Sequence, residues 1–221
     1  MVNLKITYDD IRNHQDVNTY IEKADQSLIA LGFTEHSFPH VTKVAYTASE
    51  ILKTLGYSER EAELAKIAGY LHDIGNVINR VDHAQSGAVM AFRILDKMGA
   101  DAEDIATIIT AIGNHDESTA YPVNCVAAAL ILADKTDVRK SRVRKHPVEQ
   151  FDIHDRVNYS VSHSEVSVTK EAVTLDITIE TEICNVLEYF EIFTQRMLLC
   201  SKAAKQLGIE FHLIVNGQKM M

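Results

Sequence analysis

The 221-residue chain is predicted to be mainly α-helical, a helical bundle followed by a small C-terminal ββαβ segment, so α+β overall. Three observations predict this. Only nine glycines and three prolines punctuate the sequence, and the intervals between them are long. Up to about residue 147, apolar residues recur at helical i, i+4, i+7 spacing. Beyond that point, β-branched and polar residues alternate in short runs. The helical block is placed at 1–148 and the ββαβ segment at 149–221, packed on it.

Each element has its own signal. Residues 16–31, DVNTYIEKADQSLIAL, put Val17, Ile21, Ala24, Leu28 and Leu31 on one stripe, and Gly32 ends them. PHVTKVAYTASEILKTLG (39–56) opens on a proline, buries Val41, Val44, Ala45, Ala48, Ile51, Leu52 and Leu55, and stops at Gly56. SEREAELAKIAGYLHDIG (58–75) opens on a capping box, Ser58 with Glu61 three residues on. Asp82 is expected to cap HAQSGAVMAFRILDKMG, and Asp101 to cap AEDIATIITAIGNH. VNCVAAALILADKTDVRKSRV follows Pro122 and reads as one helix; its first ten residues, apolar nearly all round, mark it as central and buried. RVNYSVSHSEVSV and AVTLDITIE read as two strands joined by the TKE turn. The long helix TEICNVLEYFEIFTQRMLLCSKAAKQLG comes next, then a strand, EFHLIV, ending at Asn216-Gly217.

Composition excludes several function classes. A net charge of −9 disfavours broad binding to a nucleic-acid polymer or an anionic membrane, both of which need a positive field. No stretch approaches 18 uninterrupted apolar residues, so no membrane span is expected. The N-terminal MVNLKITYDD lacks the pattern of a signal peptide, and a cytoplasmic protein is expected. Cys125, Cys184 and Cys200 are scattered without a CxxC, which points to buried free thiols rather than a disulfide framework. No P-loop, GxGxxG or GxSxG is present.

Three His-Asp pairs stand out: GYLHDIGN, GNHDE and DIHDR. Of these, His72-Asp73 ends an alanine-rich helix, where an imidazole and a carboxylate are costly to bury unless paired or coordinated. Candidate partners sit at other helix ends: His40, His83 and His115. Asp134 interrupts the apolar run AAALILAD, where an unpaired carboxylate is costly without a cation. The pair in DIHDR is expected to be a salt-bridged turn of Asp152, Asp155 and Arg156. Asp116 is expected to orient an imidazole or cap a helix.

The order His40…His72-Asp73…Asp134 resembles the H…HD…D signature of HD-domain phosphohydrolases over roughly residues 16–145. The extra histidines, His83 and His115, resemble the dinuclear branch that includes the symmetrical dinucleoside tetraphosphate hydrolases. The resemblance implies His40, His72, Asp73 and Asp134 on one metal, with Asp73 bridging to a second held by His83 and His115. Two divalent transition-metal ions are implied. Iron is put first, and manganese, zinc or nickel also suit imidazole and carboxylate ligands.

The implied activity is a metal-dependent phosphohydrolase that cleaves a phosphoester or phosphoanhydride, with a nucleotide as substrate, by metal-activated hydroxide. Asp73, His72 and Lys135 are the expected catalytic groups. Arg80, Lys135 and Arg139 are expected to receive substrate phosphate; Lys135, Arg139 and Arg142 share one face if their helix continues past Asp134. Arg142, Arg144, Lys140 and Lys145 are expected mainly to be solvated. The YFEIFTQRMLL stripe, Tyr189, Phe193, Met197 and Cys200, reads as core. Two alternatives stand beside the hydrolase: a di-iron oxygenase with the same ligand order, and a non-catalytic nucleotide-binding regulatory domain. A small phosphorylated molecule is the expected partner, with room for a homodimer.

Overall fold

In this computed structural model, residues 5–144 and 151–221 are described. Lys145 and the expected 148/149 boundary lie outside the described residues. The helices are α1 (Tyr8–Arg12), α2 (Gln15–Ala30), α3 (Phe38–Thr54), α4 (Glu59–Leu71), α5 (His83–Lys97), α6 (Ala102–Gly113), α7 (Cys125–Lys135), α8 (Ile153–Ser160) and α9 (Val186–Gln206), with 3-10 turns at Ile74–Val77 and Lys140–Arg142. Strands β1 (Val161–Val168), β2 (Ala172–Ile179), β3 (Glu210–Val215) and β4 (Gln218–Lys219) form one sheet in that order. Mainly helical architecture with a small sheet is what the periodicities predict. Among the described residues, no helix is long and apolar enough to cross a membrane.

Local chemistry sets most helix starts. Ser58 accepts from the Glu61 N–H while the Glu61 side chain accepts from the Ser58 N–H, closing the predicted capping box of α4. Asp101 caps α6 as expected. Asp82 does not cap α5. It sits in the left-handed region at φ 56° and makes no side-chain cap bond, serving as a sharp corner into His83 instead.

The central helix is α7, whose Val126–Leu132 side chains are fully buried. Helices α3, α4, α6 and α9 pack around it. The α3–α4 contact is unusually close at Gly69, where a Cβ would lie 2.7 Å from the Ala45 Cα. A second close approach sets Gly75 under α5, where a Cβ would meet the His83 carbonyl oxygen at 2.0 Å. Both glycines are therefore steric requirements, and they bring the His72 turn against its neighbours.

β1 and β2 are antiparallel, joined at Thr169–Glu171 as predicted. β2 and β3 are parallel, so their connection must cross over, and α9 supplies it. Tyr189, Phe193, Met197 and Cys200 of α9 are buried, the expected core stripe. The chain reverses at Asn216 and Gly217, both at positive φ, into the short β4, a pairing missed in the sequence.

Two element expectations are corrected. The predicted helix through Val143 ends at Lys135, because Thr136 bonds back to the Leu132 carbonyl with its hydroxyl and the chain then turns into extended backbone at Arg139. The predicted strand through 156–160 is instead the end of α8, which Asp152 opens by accepting from the Asp155 N–H at 2.8 Å. Among the described residues, Arg156 of the expected DIHDR turn pairs with Glu188 on α9 at 3.0 Å rather than with Asp152 or Asp155.

Candidate metal centre

The six predicted ligand side chains, scattered over 95 positions of sequence, converge at one place. His40 enters from the first turn of α3, His72 and Asp73 from the end of α4, His83 from the start of α5, His115 from just beyond α6, and Asp134 from the last turn of α7. Their rings form a chain of edge-to-face contacts, with centroids 5.2 Å apart for His40–His72, 5.0 Å for His72–His115 and 5.1 Å for His83–His115.

Asp73 divides the cluster. Its Oδ2 lies 3.2 Å from His72 Nε2 and 3.6 Å from His40 Nε2. Its Oδ1 faces His83 Nε2 at 3.4 Å and His115 Nε2 at 4.0 Å. Asp134 Oδ1 joins the first side, 3.4 Å from His40 Nε2 and 3.7 Å from His72 Nε2. In two triads, His40–His72–Asp134 and His72–Asp73–His115, the potential ligating atoms all lie within 4.8 Å of one another.

Which nitrogen faces inward is fixed by what holds the other. His72 Nδ1 donates to the Gly69 carbonyl (2.8 Å), His83 Nδ1 to Arg80 (3.0 Å) and His115 Nδ1 to Ile112 (2.6 Å), each three residues back. A carbonyl only accepts, so each Nδ1 carries the proton and each Nε2 turns a lone pair inward. His40 Nδ1 donates to Asp137 Oδ2 at 2.8 Å. Asp137, buried, is also met by Lys43 at 3.0 Å and Arg139 at 2.8 Å. Among the described residues, the Nε2 atoms of His40 and His72 and Oδ2 of Asp73 are buried without a hydrogen-bond partner. Buried polar atoms left this way require another partner, and four nitrogen lone pairs with two carboxylates suit transition-metal cations.

Electrostatics agrees with this donor set at His115, Asp73 and Asp134 and runs against it at His72. Burial drives His115 down to about 3, keeping its ring neutral. Burial alone would raise Asp73, but the adjacent His72 more than offsets it and holds the carboxyl well below the usual range. His72 is correspondingly raised, the Asp73 charge outweighing burial. Asp134 is also held well below the usual range, burial being outweighed by Lys135 and the histidines.

Above the cluster lies a cavity of about 300 Å³. Arg80 and Lys135 line it, as expected for phosphate contacts. Arg139 does not: with α7 ended at Lys135, it turns away to Asp137 and to Glu35 at 3.3 Å. Arg142, expected to be solvated, is buried and also lines the cavity, donating to the carbonyls of Glu35 and Asp137 at 3.0 Å each. Arg144 holds the same 33–35 loop through the Phe33 carbonyl and Asp25. Much of the basic run thus clamps one wall of the cavity in place.

Several participants escaped the sequence reading. Asp137 carries no signal in the sequence that sets it apart from a surface carboxylate. Glu117, two residues past His115, forms a half-hidden bridge between Lys135 (3.4 Å) and Arg196 of α9 (2.5 Å). Asp152, Asp155 and Asn158 of α8, with Phe193 and Arg196 of α9, complete the lining. The Asp152–Asp155 spacing was a readable helix-cap signal. Asp116 orients no imidazole: Oδ2 accepts from the Ser118 hydroxyl at 2.6 Å, and Oδ1 stays 3.9 Å from His83 Nε2.

Comparison with known proteins follows this geometry. The family described as the HD domain matches residues 38–156, a span containing all six clustered side chains. An uncharacterized protein of Methanocaldococcus jannaschii is 27% identical over 211 residues, covering 85% of this chain and 80% of its own. The crystal structure of a predicted HD superfamily hydrolase from an uncultured Thermotogales bacterium is 27% identical, with a TM-score of 0.45 over 57% of this chain and 68% of that one.

Proposed function

The chain belongs to the HD-domain family, and on that footing we propose that it is a metal-dependent phosphohydrolase acting on a phosphoester or phosphoanhydride, with a nucleotide as substrate. One observation carries the proposal: four imidazoles locked with Nε2 inward surround a carboxylate whose two oxygens face different partners. His40, His72, Asp73 and Asp134 would hold one divalent cation, and Asp73, His83 and His115 a second, the dinuclear arrangement of the branch this sequence resembles. Bound cations would supply Lewis acidity, activating a water and drawing charge from the phosphoryl oxygens.

The protein's own groups do the rest. Arg80 and Lys135 meet the phosphate, and the Lys135 ammonium, held 2.7 Å from Asp134 Oδ2, stays protonated because Asp134 and Glu117 outweigh its burial. Its positive charge opposes the negative charge that grows on the phosphoryl oxygens. The loop at 33–36 and helices α8 and α9 surround the substrate. A small phosphorylated molecule, rather than a polymer or a membrane, is the proposed partner, with the cytoplasm as the proposed compartment and a homodimer as an open assembly.

The test is phosphate release from a panel of nucleotides and phosphoesters by protein loaded with manganese or iron, with oxygen consumption followed in parallel. Release that stops on chelation, returns with manganese and is lost in Asp73→Ala is the expected result. Oxygen uptake by the reduced iron form without phosphate release, or tight nucleotide binding without turnover under any metal, would sink the proposal.

A further inference from the structure

The loop joining α2 to α3 is firmly held. The Phe33 N–H donates to the Leu28 carbonyl at 2.9 Å, and the Glu35 N–H to the Arg142 carbonyl at 2.8 Å. Arg144 donates to the carbonyls of Phe33 (2.8 Å) and Thr34 (3.1 Å), Arg142 to that of Glu35, and His36 Nδ1 to that of Thr34 at 2.7 Å. Polar bonds thus fix the backbone, while two apolar side chains it carries stay outside the core. Leu31, the last member of the predicted α2 stripe, is 60% exposed, and Phe33 is 40% exposed. Both still line the cavity, with Gly32 between them, which puts them at its mouth.

Single exposed apolar residues are common on any surface and need no role. Phe33 differs in what it touches. The Arg80 guanidinium lies over its ring, 5.5 Å from the centroid, and also reaches His83 Nε2 and Asn76 Oδ1, each at 3.3 Å. Among the described residues Arg80 has no carboxylate partner, so its charge is open to a phosphate. One side chain therefore spans from the metal cluster to the aromatic ring. Ile78 and Val81, which flank Arg80 in the chain, are exposed as well. The cavity, about 300 Å³, is at the small end for ligand sites. A ligand with its phosphate at the cluster and Arg80 has Phe33 next along the same guanidinium, and a body too large for the cavity emerges beside that ring.

We propose that Phe33, with Leu31 beside it, is the stacking surface for a flat aromatic ring of the substrate, so that the site prefers a nucleoside monophosphate to the corresponding sugar phosphate. The proposal rests on the hydrolase reading only for placing a phosphate at the cluster. A guanidinium covers one face of a ring, and offset or edge contact with the remainder stays open to a second ring. A base placed there buries apolar surface that Phe33 and Leu31 otherwise leave in water. Because the loop is already fixed, little ordering cost accompanies the contact.

The experiment compares adenosine 5′-monophosphate with ribose 5-phosphate, which share phosphate and sugar and differ in the base. Binding to the manganese-loaded full chain is measured by calorimetry, and phosphate release is followed separately. The nucleotide should bind about tenfold more tightly, the low end of what one base stacked on an aromatic side chain contributes. Phe33→Leu keeps apolar bulk without the ring and should narrow that preference about fivefold. Phe33→Tyr should retain it. Since both ligands carry the same phosphate, a change in the Arg80 contact affects them alike and leaves the preference to report the base. Chelator competition should give all three proteins the same manganese affinity; a loss in the variants would make Phe33 a support of the metal site and overturn the proposal. Equal affinities in the unmodified protein, an unchanged preference in Phe33→Leu, a lost one in Phe33→Tyr, or no binding of either ligand would also overturn it. A Phe33-dependent preference without phosphate release would sink the hydrolase reading and leave the stacking surface standing. Phosphate release from both ligands with equal kcat/KM and equal affinity would do the reverse.

Discussion

His40 shows how much of this site depends on atoms that are not ligands. Its Nε2 belongs to the cluster only because Nδ1 is engaged by Asp137, and Asp137 is in turn held by Lys43 and Arg139. The other three imidazoles need no such carboxylate, because each finds a carbonyl three residues back along its own chain. Partners behind a ligating histidine typically contribute 10–100-fold to metal affinity. Asp137→Asn, which keeps shape but removes charge, is therefore expected to weaken metal binding by about 10-fold or more. Competition against a chromophoric chelator reads this directly, and unchanged affinity would show that Asp137 orients nothing. The clustered side chains themselves were legible because buried His and Asp at helix ends are chemically conspicuous. Asp137 was not, since nothing in DKTDV tells a buried partner from a surface one.

At the scale of elements, those with strong local signals were read correctly and those decided by packing were not. The Ser58–Glu61 box starts α4 where expected. Hydrogen bonds from Ser58 lower the Glu61 pKa, so their stabilisation is complete above the unfolded value of about 4.3 and is lost as pH falls through the lower folded one. Ser58→Ala should then cost about 1 kcal/mol at pH 7, with the difference shrinking below about pH 4. Thermal melts of both proteins at the two pH values check it, and a penalty that grew in acid would contradict the assignment. Helix α8 went the other way. Its residues VNYS continue an alternating pattern that suits a strand, yet the Asp152 cap and the fit of Val157 and Ser160 into the interior make it a helix. Helix α7 was read as too long because the basic run after Asp134 is helix-compatible, and only the Thr136 turn stops it.

Across the whole molecule, the C-terminal segment is joined to the helical block through charge as well as core packing. Arg196 on α9 holds Glu117, Glu117 holds Lys135, and Lys135 lies against Asp134. Burial would raise Glu117, but Lys135 and Arg196 lower it instead, the sign of a carboxylate kept charged by its neighbours. Because Arg196 and Glu117 are partly exposed, each single removal is expected to cost less than a fully buried pair would. Arg196→Met and Glu117→Gln should each destabilise the protein, and their combination should fall short of the sum by about 1 kcal/mol. Denaturant melts of the four proteins measure that coupling, and strict additivity would mean the bridge joins nothing.

The sequence alone determined the helical architecture, the small C-terminal sheet and the identity of the six clustered side chains. Those features are written in periodicity and in residue types that cannot be buried without a partner. The tertiary structure decided which cations face the cavity and which are consumed by internal carboxylates. It also made α8 and α9 walls of the same cavity. Pairings of this kind join residues tens of positions apart, and they depend on where α7 stops and how closely Gly69 and Gly75 let the helices approach. No local pattern records those distances.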